Sequence, residues 1–298
     1  MPINFPRPIV SVDELASLLG DASTRERVRP VDVRWKLGAS EHGRLAFESG
    51  HLPGAIFLDL ETDLSDPGGL GAPGRHPLPD PSAFARLLGD VGIADDSYVV
   101  AYDDAGGTVA ARLWWMLDDL GHAAVAVLDG GIDAWREAGL EPTTGPASWP
   151  ATTIHLHDRW TRTIERDALA ARLDEVVLLD VRARERYRGE VEPIDPIAGH
   201  IPTARSAPTT ESLDAGRMRP ASELATAFER LGAADGSEVV VACGSGVNAC
   251  HAALALRIAG LPSPTLYAGS YSDWSRSGLP VETGDDPGPP DGRATPAG

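Results

Sequence analysis

The sequence predicts an α/β protein in which one domain is used twice, each copy a parallel sheet flanked by helices. Two observations lead there. The first is an internal repeat in constant order: "PVDVRW" (30–35) matches "LLDVRA" (178–183), and "GHLPGA" (50–55) matches "GHIPTA" (199–204). Further along, "SYVVAYDDAGG" (97–107) matches "SEVVVACGSGV" (237–247), and "LDGGIDAWREAGL" (128–140) matches "YAGSYSDWSRSGL" (267–279). Matches spread over so many residues mark a duplicated domain rather than a solenoid of short units. The second observation is the alternation of short apolar runs with helical patterns, the signature of βα units around a parallel sheet.

The second repeat shows the elements plainly. "VVLLDV" (176–181) and "EVVVAC" (238–243) are continuous apolar runs bounded by polar residues, as strands buried on both faces should be. "LATAFERLG" (224–232) and "ACHAALALRIAG" (249–260) read as helices that end in a glycine placed just past the last turn. The Pro-, Thr- and Gly-rich stretch 141–160 is read as a linker between domains spanning 8–140 and 161–282. The segment 283–298 has little to bury and is expected to be disordered.

At 298 residues the chain can hold two cores of ordinary size. Its 26 basic against 44 acidic residues give a net charge of −18, which argues against nucleic-acid or anionic-membrane partners. Two cysteines, Cys243 and Cys250, are too few for a secreted disulfide framework. The opening "MPINFPRPIV" lacks the charged and apolar regions of a signal peptide, and no apolar run approaches membrane-spanning length. A soluble, cytoplasmic protein with reduced thiols is expected.

The chemistry concentrates in the loop after the second repeat's apolar run. Cys243 ends that run, and "GSGVN" separates it from a helix. Ligands of parallel sheets bind beyond the carboxyl ends of the strands. Such a loop can aim several backbone N–H groups at one point, making a nest for an anion; a thiolate or a persulfide is an anion. Cys250, seven residues on and within the helix, reads as core, and the pair is too widely spaced for a C-x-x-C redox motif. The repeats are not equivalent. Asp103 stands where the second repeat has Cys243, and the first repeat carries a long Gly- and Pro-rich insertion within 61–81. Loops of that length tend to serve function or to be disordered.

The duplicated domain, the "DVR" and "GHIP" motifs, the strand–Cys–loop–helix and the "GSYSDW" segment resemble the two-domain rhodanese-type sulfurtransferases over roughly residues 8 to 282. "CGSGV" followed by "ACH" resembles the 3-mercaptopyruvate branch; the thiosulfate-using branch typically has basic residues where this chain has Gly244 and Ser245. The resemblance implies two rhodanese-like domains, of which only the second is catalytic, with Asp103 at the first domain's cysteine position. It implies a small-molecule sulfur donor, a persulfide on Cys243, and a thiol, cyanide or thioredoxin-like protein as acceptor, with no cofactor and no metal. It also implies a proton relay of Ser245, His76 and an acid, either Glu61 or Asp63. Arg186, with Arg188 beside it, would hold the donor carboxylate, and Gly244, Gly246, Val247 and Asn248 would line the loop. The chain departs from the pattern twice: no second arginine precedes the second "GH", in "EVEPIDPIAGH", and Asn248 replaces a threonine.

Other readings are weaker. Thiosulfate as donor, through the same cysteine, is the alternative. A phosphatase related to this fold needs an arginine six residues after the nucleophile, where this chain has Ala249. His155 and His157 would alternate on one face if "TIHLHD" were a strand, but two histidines are too few for a stable metal site. "DDAGG" and "DGGID" lack phosphate-loop spacing.

Overall fold

The computed structural model describes residues 7–66, 73–145 and 147–292. Among these, residues up to 66, residues 78–161 and residues 215–218 form one compact unit; residues 73–77, 162–214 and 219–292 form the other.

The first unit runs β1 (Ile9–Val10), α1 (Val12–Gly20), β2 (Val28–Asp32), α2 (His42–Ser49), β3 (Ile56–Phe57), α3 (Pro81–Asp90), β4 (Tyr98–Tyr102), α4 (Ala110–Asp119), β5 (Val125–Leu128) and α5 (Gly131–Glu137). Its sheet has the order β1-β5-β4-β2-β3 with every pairing parallel. Local chemistry sets the helix starts. Ser11 and Glu14 form a reciprocal capping box on α1. Asp80 caps α3 by accepting from Ala83 N at 2.8 Å, with Pro81 in the first turn. The core gathers Val10, Leu15, Val28, Val100, Tyr102, Leu128 and Trp135.

The stretch read as a linker is packed on this unit. Trp149 lies 3.6 Å under the Arg29 guanidinium and donates to Gly54 O at 3.0 Å. His51 N donates to Thr143 O at 2.9 Å, and Thr152 N to Gly89 O at 2.9 Å. "TIHLHD" is not a strand, and His155 instead takes Asp95 as its partner at 2.7 Å. The two histidines therefore do not share a strand face.

The second unit runs α6 (Arg166–Ala170), β6 (Val177–Asp180), α7 (Arg184–Tyr187), β7 (Arg205–Ser206), β8 (Leu213–Asp214), β9 (Arg217–Met218, which clusters with the first unit), α8 (Ala221–Arg230), β10 (Val239–Ala242), α9 (Asn248–Ile258), β11 (Thr265–Leu266) and α10 (Ser270–Trp274). Its parallel sheet has the order β11-β10-β6-β7. The two apolar runs become β6 and β10. The two helical patterns become α8 and α9, followed by Gly232 (φ +85°) and Gly260 (φ +76°) in the left-handed conformation that ends helices. The start of the segment expected to be disordered is tied down: Gly284 N donates to Arg188 O at 2.9 Å, and the His200 ring lies 3.2 Å from Asp286 O. Residues 293–298 lie outside the described residues, as do 67–72 of the first-repeat insertion.

The repeated motifs build the same joint in both units. In "DVR", Arg34 pairs with Asp32 at 2.6 Å and donates to Gly50 O at 2.8 Å. Arg182 pairs with Asp180 at 2.6 Å and donates to Gly199 O at 2.6 Å. Both pairs are buried. Gly50 and Gly199 open the two "GH" motifs, so the motifs recur together because one bonds the other. The histidines belong to the scaffold: His51 stacks on Phe47 with centroids 4.1 Å apart, and His200 on Tyr187 at 3.7 Å.

The loop after β4 shows what Asp103 does. Its carboxylate is fully buried, and one oxygen accepts from Ala105 N at 2.9 Å and Gly107 N at 2.8 Å. The other accepts from Val109 N at 2.8 Å and Ala110 N at 2.9 Å. The first repeat thus forms an amide nest and fills it with its own anion.

Two outcomes are expected. Removing one member of a buried ion pair strands the other charge, so Arg182→Ala should destabilise the protein by about 3–5 kcal/mol, read as a lowered denaturation midpoint; a loss under about 1 kcal/mol would show that the joint is dispensable. Asp103→Asn should cost stability on the scale of a hydrogen bond to a charged group, about 1.5–3 kcal/mol, while changing turnover by less than tenfold, about 1.4 kcal/mol in the barrier. A folded Asp103→Asn protein without activity would contradict the structural role.

Candidate active site

β10 is a fully buried strand that ends at Ala242 and delivers Cys243 to the carboxyl edge of the second sheet. The loop 244–247 then turns its amides back onto the sulfur. Cys243 Sγ accepts from Gly246 N at 3.1 Å and Ser245 N at 3.4 Å. Gly246 is required here: its φ is +81°, and a Cβ would stand 2.5 Å from Ala268 O. This is the nest that Asp103 fills in the first repeat, with a sulfur in the carboxylate's place. Cys243 is 4% exposed. Val247 is buried and Asn248 is the exposed first residue of α9.

The "GSYSDW" segment holds the loop from behind. Tyr271 N donates to Cys243 O and Ser272 N to Gly244 O, both at 2.9 Å. Ser270 Oγ accepts from Cys243 N at 3.1 Å, donates to Tyr267 O at 2.9 Å, and lies 3.9 Å from the sulfur. Ser270 adopts φ +52°, strained for a residue with a Cβ, at the point where its hydroxyl meets the cysteine. Cys250 is buried on α9 with its sulfur 3.3 Å from Gly246 O; both cysteines are free thiols.

Residues 73–77 come from the first repeat's insertion but belong to this unit. Gly74 approaches so closely that a Cβ would stand 2.5 Å from Gly269 O. Arg75 N donates to Ser272 Oγ at 3.1 Å. His76 is 4% exposed and its Nδ1 lies 2.8 Å from Ser245 Oγ, so the expected histidine–serine pair is formed. The other expected relay residues are in the first unit. Exposed Glu61 takes the Trp35 indole N–H at 3.0 Å. Asp63 accepts from Asp59 N at 2.8 Å, and burial holds its carboxyl above the usual carboxylate range.

Arg186, on α7, is held by two buried acids: it pairs with Glu192 at 2.7 Å and Asp195 at 3.2 Å. Glu192 also meets Arg182 at 3.3 Å, and Arg186 is the leading charged reason its carboxyl stays below the usual range against the opposing effect of burial. Arg188 is directed elsewhere, to Asp285 at 2.6 Å. The guanidinium that joins Arg186 is Arg75, which pairs with the other oxygen of Asp195. Sequence reasoning passed over Arg75, although it stands directly before His76 in "GRHPLP".

Comparison with known proteins agrees with this architecture. The rhodanese-like domain family matches residues 11–138 and again 165–277. A probable 3-mercaptopyruvate sulfurtransferase of Pseudomonas aeruginosa is 46% identical over 261 residues, covering 86% of this chain and 92% of that protein. A putative thiosulfate sulfurtransferase of Mycobacterium tuberculosis is 39% identical over 288 residues, covering 94% and 96%. Among solved structures, the 3-mercaptopyruvate sulfurtransferase from Leishmania major superposes with a TM-score of 0.81 at 32% identity, covering 92% of this chain and 76% of that one. With two rhodanese-like domains and relatives of this kind over nearly its whole length, the chain belongs to the two-domain rhodanese-type sulfurtransferases, on their 3-mercaptopyruvate sulfurtransferase-like branch.

Proposed function

We propose that the protein moves a sulfane sulfur from 3-mercaptopyruvate to a thiol or cyanide acceptor through a persulfide on Cys243. The observation that carries this reading is the pairing of the amide-cupped Cys243 sulfur with a His76–Ser245 hydrogen bond on the same loop. In the first half-reaction the Cys243 thiolate attacks the donor sulfur. A Cys243 S–S bond forms, the donor C–S bond breaks, and its electron pair leaves on the enolate of pyruvate. Ser245, backed by His76, gives that enolate a proton. In the second half-reaction the acceptor attacks the outer sulfur and Cys243 leaves as thiolate. This is covalent catalysis that divides one transfer into two, and the amides at 3.1 and 3.4 Å hold the sulfur anion at both stages. Arg186 takes the donor carboxylate, with Gly244, Gly246, Val247 and Asn248 around it. For the acid of the relay we keep Glu61 and Asp63, of which Asp63 is the carboxyl that burial raises. A thioredoxin-like protein is a further acceptor of the right chemistry, and the cytoplasm, where thiols are reduced, is the compartment we assign.

Thiosulfate is the second donor to weigh, because a relative of 39% identity bears the name of a thiosulfate sulfurtransferase. Thiosulfate leaves as sulfite, already a stable anion, and needs less help from an acid. Positioned proton transfer is typically worth about 10²–10⁴-fold. His76→Ala should therefore lower kcat for mercaptopyruvate by roughly that factor and turnover with thiosulfate much less. Steady-state kinetics with both donors side by side make the test. Equal losses remove the relay, and a wild-type preference for thiosulfate moves the protein to the second reading. Cys243→Ser should abolish transfer from every donor, whereas Cys250→Ser should keep most of it. Intact mass after donor treatment should show one added sulfur that cyanide removes; finding it on Cys250 would overturn the assignment.

A further inference from the structure

We infer that residues 282–287, the strap that trails the catalytic repeat, position the donor by holding α7, the helix that carries Arg186. The strap does this without touching the donor. The inference rests on the reading above in which Arg186 takes the donor carboxylate, and adds a positioning element remote from the reacting atoms. It starts from the weakness of α7 (Arg184–Tyr187), which is a single turn. A turn of that length cannot hold itself, and its last carbonyls need partners from outside. The outermost two find them close together. Tyr187 O accepts from His200 Nδ1 at 2.8 Å, and Arg188 O accepts from Gly284 N at 2.9 Å. The side chain of Arg188 then pairs with Asp285 at 2.6 Å, so the strap grips the helix end through backbone and side chain together.

The strap is itself fixed by its other contacts. His200 and Glu282 exchange backbone hydrogen bonds at 2.8 and 2.9 Å, and Asp286 O lies 3.2 Å from His200 Nε2. Pro287 O accepts from Thr203 N at 2.6 Å. Thr203 holds φ +66° where the first repeat has Gly54 at +72°. A residue with a Cβ keeps that conformation only where its surroundings impose it. The first repeat supplies a comparison, because its trailing segment crosses the same motif. His51 and Thr143 exchange backbone bonds at 2.9 and 2.8 Å, and Gly145 O lies 2.9 Å from His51 Nε2. There, however, His51 Nδ1 lies 2.9 Å from the neighbouring Leu52 O, whereas the same nitrogen of His200 reaches the end of α7. This link from trailing segment to helix is made in the repeat whose helix carries Arg186.

The test compares wild type with a chain that ends at Thr283 and with Asp285→Asn, a change at a side chain 74% exposed. KM for mercaptopyruvate should rise about tenfold in the shortened chain and about threefold in Asp285→Asn, the scale on which residues outside a site shift its affinity. In both, kcat should move less. Asp285→Glu, which keeps the carboxylate, should restore most of the wild-type KM. Arg172→Gln, on the separate Glu238 pair, should leave it unchanged. Hydrogen exchange reads the helix directly, without any donor. Amides of residues 186–188 should exchange about tenfold faster in the shortened chain, as a locally opened turn would, while those of 239–242 keep wild-type rates. A merely structural strap would lower the denaturation midpoint and leave KM where it is. That result in both variants, or in Asp285→Asn alone should the shortened chain not fold, overturns the inference. Wild-type exchange over 186–188 in every variant that folds overturns it too. A wild-type enzyme that ignores mercaptopyruvate removes the donor reading alone, and the exchange rates then decide whether the strap holds α7.

Discussion

The second unit depends on one buried ion pair, Asp180 with Arg182. It sits at the carboxyl end of β6, the strand beside β10, and ties that end to Gly199 O at 2.6 Å. Its influence then spreads in two directions. Arg182 lies 3.7 Å over the Tyr271 ring, and Tyr271 N holds Cys243 O, so the pair braces the cysteine loop. Arg182 also meets Glu192, which holds Arg186, which meets Asp195, which holds Arg75. A chain of buried charges is costly unless every member is partnered, and here each acid bonds at least one arginine. That constraint explains why so many arginines sit below the surface in an acidic protein.

The duplication offers a comparison within one molecule. Both repeats end their central strand in a loop whose amides point at one atom. In the first, Asp103 answers all four amides with two carboxylate oxygens and leaves nothing to react. In the second, the larger and softer Cys243 sulfur accepts from Ser245 N, the counterpart of Ala105 N, and from Gly246 N. The exchange of Asp103 for Cys243 therefore changes which atom the loop amides hold, a carboxylate in one repeat and a sulfur in the other. Both repeats carry a positive φ at the start of the following helix, at Gly131 in the first and at Ser270 in the second, where it places a hydroxyl against the Cys243 amide.

The fold was legible because its signals are local. The repeat, the apolar runs of β6 and β10, and the glycines after α8 and α9 follow from backbone preferences within a few residues. α4, which the sequence reading did not single out, is buried on almost every side. In the stretch 141–160 composition set the type of backbone and the fold set its place. Pro, Thr and Gly signal irregular backbone, but not whether it hangs free, and Trp149 on Arg29 packs it down.

By itself the sequence determined the duplicated α/β fold and the placing of Cys243 and Asp103 at matching loop positions, because each follows from local motif chemistry. The His76–Ser245 pair came from the family resemblance, and the structure sets the two side chains 2.8 Å apart. Only the tertiary structure decided which arginines lie beside the Cys243 loop. Arg188 is two residues from Arg186 in the chain yet turns to Asp285, whereas Arg75 is more than a hundred residues away and shares Asp195 with it. The physical reason is that the fully buried Asp195 needs cations to satisfy its charge and takes them from wherever the fold brings them, whereas exposed Asp285 can take Arg188 at the surface. The place of the buried carboxylate is set by how the chain folds back on itself, not by neighbours in sequence.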